Sequence, residues 1–159
     1  MGTEKKMLKK RIKVYLDTSV ISARFDKRNP ERQFLTDLFF EKIELFDAYI
    51  SELVLAEIGD TRDPQLREKL RNLAIAFKAL PIDEESRTLA DEYVKHEAIP
   101  PDYPEDALHI AISTLNEIDY LLSWNFKHMV RVRTRKIVNM VNTSLGYPNL
   151  EITTPAELL

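Results

Sequence analysis

The stretch Lys13-Val14-Tyr15-Leu16-Asp17-Thr18-Ser19-Val20-Ile21-Ser22 decides how the chain is read. An apolar, β-type run ends on the carboxylate of Asp17, and two hydroxyls and a second apolar pair follow at once. A turn or helix cap would account for such an Asp by itself. Whether it does more depends on other polar groups occupying equivalent places, just beyond a strand or at the start of a helix.

Short β-type runs alternate with helical patterns along the chain. Strands are expected over 12–17, 48–51, 79–82, 119–123 and 150–154, the last of them at an edge. Apolar spacing predicts helices over 34–46 and from 52 to Gly59 or the loop around Pro64. Another is expected over 64–80, with Leu66, Leu70, Leu73 and Phe77 on one side, and another over 83–99 behind an Asp83 cap. A helix opening at Pro104 and one over 132–145 stopped by Gly146 complete the series. Such alternation implies an α/β fold with a parallel sheet and helices on both faces, whose sites lie at the carboxyl ends of the strands. Asp17 is at such an end.

The chain has 159 residues, 44% hydrophobic and 31% charged, which fits one globular domain. With no cysteine, disulfides, thiolate metal sites and cysteine nucleophiles are excluded, and a reducing compartment fits. The three glycines, Gly2, Gly59 and Gly146, are far apart, so neither a GxGxxG loop nor a Walker loop is present. No apolar run approaches the roughly 20 residues of a membrane span, and a cytoplasmic protein is expected. Residues 1–11, rich in lysine, read as a basic, disordered tail ahead of one domain over 12–159. Net charge is −3, so a nucleic-acid partner would have to be attracted by local basic patches or bound cations.

Three further polar groups occupy places like that of Asp17. Glu57 lies about one turn into the helix after the second strand, with Leu55, Ala56 and Ile58 around it. Asp106 lies in the first turn of its helix, and Asn125 follows the strand ending at Ser123. All four could meet at one edge of the sheet. Carboxylates converging in a half-buried cleft repel one another unless a hard divalent cation, Mg²⁺ or Mn²⁺, accepts their oxygens. Such an ion can activate water and steady charge on a phosphate. Glu52 is better explained by the helix dipole, Glu105 competes with Asp106, and Asp102 suits a turn. His109 reads as a packed core residue, and His96 and His128 belong to no constellation. Arg24 and Lys27, with Arg28, and Lys127 and Arg131, in a longer basic cluster, are candidates for phosphate contact. Trp124 and Phe126 suit packing better than stacking on a base.

The segments VYLDTSVIS, ISELVLAEI, PEDALHIAIS and YLLSWNFKHM, in that order, resemble the PIN domain, and most closely its VapC-type toxins and their stand-alone relatives. The resemblance runs from about Ile12 to Val130. It implies a three-layer α/β/α sandwich around a parallel sheet of four to five strands, and a metal-dependent endoribonuclease. By position, Asp17, Glu57 and Asp106 would be the metal ligands, with Asn125 where many members carry Asp and others Asn. Thr18 and Ser123 would support the ligands by hydrogen bonding. An antitoxin protein and a homodimer are the partners it implies besides RNA. Two rivals differ in class. A phosphatase of the haloacid-dehalogenase type needs a second acid where Ser19 stands, whereas an inactive PIN-fold RNA- or protein-binding module would tolerate Asn125.

Overall fold

The computed structural model describes residues 10–159. Of the tail expected over 1–11, only Lys10 and Arg11 fall within it, both exposed; the rest lies outside the described residues. No helix among the described residues is long and apolar enough to cross a membrane.

β1 (Lys13–Leu16) is the middle strand of a five-stranded, wholly parallel sheet. It lies between β2 (Asp47–Ser51) and β4 (Tyr120–Leu122), with β3 (Lys78–Leu80) and β5 (Glu151–Thr153) at the edges. Val14, Tyr15 and Leu16 are fully buried. A central parallel strand is covered on both faces, which is why this run is continuously apolar rather than alternating.

The chain leaves β1 towards β2 and β3 through α1 (Thr18–Ala23), α2 (Pro30–Glu41), α3 (Glu52–Gly59) and α4 (Pro64–Ala74), which pack among themselves. It returns to β4 and β5 through α5 (Glu84–Lys95), α6 (Pro104–Leu115) and α7 (Val132–Leu145), a second packed group. Parallel crossovers are right-handed, so steps in opposite directions along the sheet place their helices on opposite faces. The three-layer α/β/α sandwich follows, with five strands.

Local signals set most boundaries. Asp83 caps α5 in a reciprocal box with Ser86, Pro104 opens α6, and Gly146, at φ 82°, ends α7. Three expectations differ. The helix read over 34–46 begins at Pro30, because the Asn29 side chain accepts the Arg32 N–H, and it gives way to a 3-10 turn at Ile43–Leu45. The helix read over 64–80 stops at Ala74, and Lys78–Leu80 pairs with Tyr49–Ser51 instead. No Gly or Pro marks that break; a parallel partner outweighs helix propensity there. The helix α1 has no counterpart among the expected elements, since six residues are too few to show a period.

Candidate active site

Asp17 follows β1, Ser51 ends β2 and Ser123 follows β4, so polar side chains line the carboxyl edge where the strand order reverses. Asp17 is only 4% exposed and caps α1. Its Oδ1 accepts the Ser19 N–H at 3.0 Å and the Ser19 hydroxyl at 2.5 Å, and its Oδ2 accepts the Ser123 hydroxyl at 2.7 Å. Ser19 Oγ accepts the Trp124 N–H at 2.8 Å, and Ser123 Oγ accepts the Asn125 N–H at 2.9 Å. The loop leaving β4 is thereby fastened to Asp17. Burial pushes the Asp17 carboxyl above its ordinary value, against the His109 charge and the two serine hydroxyls.

Glu57, half-buried on α3, receives two donors on one oxygen. Thr18 donates its hydroxyl to Oε1 at 2.5 Å, and His109 Nε2 lies 2.8 Å from the same atom. His109 is buried on α6, with its Nδ1 2.6 Å from the Tyr15 hydroxyl, which lies 2.7 Å from Ser51 Oγ. Ser51 Oγ already accepts the Leu53 and Val54 N–H groups. Its own hydrogen therefore goes to Tyr15, that of Tyr15 goes to Nδ1, and Nε2–H is left for Glu57. Burial alone would lower the His109 pKa, but the Glu57 hydrogen bond and the charges of Glu57, Asp17 and Asp106 raise it above its ordinary 6.5. Burial acts on Glu57 in the opposite sense, and His109 and Thr18 outweigh it to bring Glu57 below its ordinary 4.5.

Asp106, in the first turn of α6, is held from the loop after β4. Its Oδ2 lies 3.0 Å from His128 Nδ1 and accepts Asn125 Nδ2–H at 3.3 Å. Asn125 Oδ1 accepts the His128 N–H at 2.9 Å, which orients the amide and turns its NH₂ towards Asp106. Burial raises the Asp106 pKa, and the His128 and Asn125 contacts only partly offset this. Glu105 is exposed, and Glu52 accepts the Ile82 N–H at 2.8 Å. Asp106 is therefore the member of the pair that faces the site.

His109 feels the charge of all three acids. Among the described residues no Lys or Arg forms an ion pair with Asp17, Glu57 or Asp106; histidines pair with the latter two. Hard oxygen donors carrying negative charge that no basic side chain offsets fit a divalent cation in chemical type. As the side chains stand, however, no three acidic or histidine groups among the described residues meet closely enough to hold one. Glu57 Oε1 and Asp106 Oδ2 are turned onto histidines. Glu57 Oε2 and Asp106 Oδ1 have no partner among the described residues and are not buried, which leaves them open to solvent. Asn125→Asp places a second carboxylate against Asp106. It is expected to lower the thermal midpoint in EDTA and to enlarge the stabilisation that added Mg²⁺ produces. Thermal melts with and without Mg²⁺ check this, and an unchanged response to the ion would remove residue 125 from any metal site.

The acid-holding roles of His109 and His128 depart from what the sequence leads one to expect of them. His109 lies three residues after Asp106 and His128 three after Asn125, the only signal available. Among the candidates for phosphate contact, Arg24 is paired with Asp37 at 3.0 Å and lies over the Phe40 ring. Lys27 is exposed beside a depression of about 500 Å³ that also touches Ser22, Arg28 and Thr61. Ser22 lies one helical turn beyond Thr18 on α1, and Thr61 lies in the loop that follows α3. Lys127 and Arg131 are exposed, and Arg131 donates to the Lys127 carbonyl at 3.1 Å.

The family described as PIN domain matches residues 14–125. No curated protein matches the chain by sequence. Three solved structures share the fold at 15% identity. One is VapC20 of Mycobacterium tuberculosis, described as a sarcin-ricin loop cleaving toxin, with TM-score 0.59 over 72% of this chain and 92% of that one. Another is VapBC2 of Rickettsia felis bound to a DNA fragment from its promoter, with TM-score 0.55 over 89% and 97%. The third is VapBC-5 of Mycobacterium tuberculosis, a toxin–antitoxin system, with TM-score 0.50 over 89% and 98%.

Proposed function

The chain belongs to the PIN domain family, and from that premise we propose that it is a divalent-metal-dependent endoribonuclease that hydrolyses RNA phosphodiester bonds. The observation that carries this reading is the gathering of Asp17, Glu57 and Asp106 around His109, with no Lys or Arg of the described residues paired to them. Held by those three acids, Mg²⁺ or Mn²⁺ would supply Lewis-acid stabilisation of a phosphate and a water acidic enough to ionise near neutral pH. The protein's own groups orient the acids. Ser19 and Ser123 hold Asp17, Thr18 and His109 hold Glu57, and Asn125 and His128 hold Asp106. Exposed Lys27, Lys127 and Arg131 offer charge to RNA phosphates, while Arg24 is committed to Asp37.

The similar structures come from VapC toxins and VapBC systems, which supports a role as the toxin of a type II toxin–antitoxin pair or a stand-alone relative. An antitoxin covering the acids would then be the protein partner, and a homodimer the assembled form. A second reading, a PIN-fold module that binds RNA or protein without cutting, draws on the amide at 125 and on acids that do not meet at coordination distance.

The test is incubation with a mixed RNA pool in Mg²⁺ or Mn²⁺ and then in EDTA. Cleavage that the chelator abolishes is expected. RNA binding with no cleavage under either ion would favour the module.

A further inference from the structure

We propose that Arg32 and Phe126 form a stacking subsite for an unpaired nucleobase, fixed in position relative to Asp17. The identity of the ligand as RNA rests on the nuclease reading; the geometry does not. Phe126 directly follows Asn125, the residue that donates to Asp106, and is 52% exposed. It thus presents apolar surface to solvent at the rim of the polar site.

The ring has rigid support. Trp124 lies 6.2 Å from it, centroid to centroid, and is buried. Trp124 Nε1–H donates to Thr36 Oγ1 at 2.9 Å, and its backbone N–H donates to the Ser19 hydroxyl that bonds Asp17. Arg32 stands one turn before Thr36 on α2, and its guanidinium lies over both rings, 5.2 Å from the Trp124 centroid and 5.9 Å from that of Phe126. Arg24 and Arg28 have carboxylate partners, whereas Arg32 has none among the described residues.

A planar cation beside an exposed aromatic face matches the two parts of a nucleotide. The base stacks on the ring or on the guanidinium plane, and the phosphate meets the N–H fork. An apolar protein anchor would use Phe126 but would gain nothing from the guanidinium over it, which has no carboxylate partner among the described residues. Every base has a π-face, so the subsite selects unpaired over paired RNA rather than one sequence.

The experiment titrates a fluorescent single-stranded oligoribonucleotide, and the same sequence as a duplex, into full-length Asp17→Asn protein carrying Phe126→Ala, Phe126→Trp or Arg32→Ala. Phe126→Ala and Arg32→Ala are expected to weaken single-strand binding by about 5- to 100-fold, the size of one stacking contact. Phe126→Trp should keep it, and duplex binding should change little. In the Asp17 background the same losses should appear in KM for cleavage, with kcat nearly unchanged. Equal single-strand binding by Phe126→Ala and its parent overturns the subsite even where cleavage is observed. Loss of single-strand binding in a protein that cuts no RNA leaves the subsite standing and removes the nuclease reading.

Discussion

Asp17→Asn is expected to lower kcat/KM for RNA cleavage by at least about 10³-fold, because several kcal/mol of transition-state stabilisation are lost with the ion it helps to hold. The same change is expected to raise the thermal midpoint of the metal-free protein, by about 0.5–2 kcal/mol of stability. The two signs have one cause. Asp17 is nearly inaccessible, and burial opposes its charge more strongly than His109, Ser19 and Ser123 favour it. An amide keeps the shape and can still accept from Ser19 through Oδ1. Its NH₂ faces Ser123 Oγ, which then accepts rather than donates. Melts in EDTA and in Mg²⁺ separate the effects, since stabilisation by the ion should shrink in the variant. Cleavage at the wild-type rate would remove Asp17 from the chemistry. A lower midpoint in EDTA would mean that the serine hydrogen bonds outweigh the buried charge.

Tyr15→Phe is expected to reduce cleavage by about 10- to 100-fold, the usual cost of losing a group that orients a ligand, and to destabilise the fold by about 1–3 kcal/mol. Among the described residues the hydroxyl is the link between Ser51 and His109 Nδ1, and Tyr15 is fully buried. Without it the imidazole loses the contact that presents Nε2–H to Glu57. The pH dependence of stability reports on the same pair. His109, raised above 6.5, contributes stability that is complete below 6.5 and is lost as pH climbs through its folded value. Glu57, lowered below 4.5, contributes stability above 4.5 that is lost as pH falls through its folded value. Asp17 and Asp106, both raised above 3.8, contribute stability that is lost as pH rises from there. The midpoint of the metal-free protein should therefore decline above pH 6.5, and Glu57→Gln should flatten that decline. An unchanged slope in the variant would assign it to groups other than His109.

Most of the strands and helices, and the places of the acids along them, are legible in the sequence, while α1 and the end of α4 are not. Continuous apolar runs marked β1 and β4, and Asp83, Pro104 and Gly146 marked helix ends, because capping and periodicity depend on neighbours a few residues away. The same local grammar puts Asp17 and Asn125 just past strand ends, Asp106 in a first turn and Glu57 a turn into its helix. What those groups touch depends on packing between distant segments. Asp17 is held by Ser123, 106 residues away, and Glu57 by His109, 52 residues away. The early end of α4 depended on a strand partner in β2. A buried polar atom must find a partner wherever packing supplies one, and which distant segment supplies it is set by the sheet order, which no local pattern encodes.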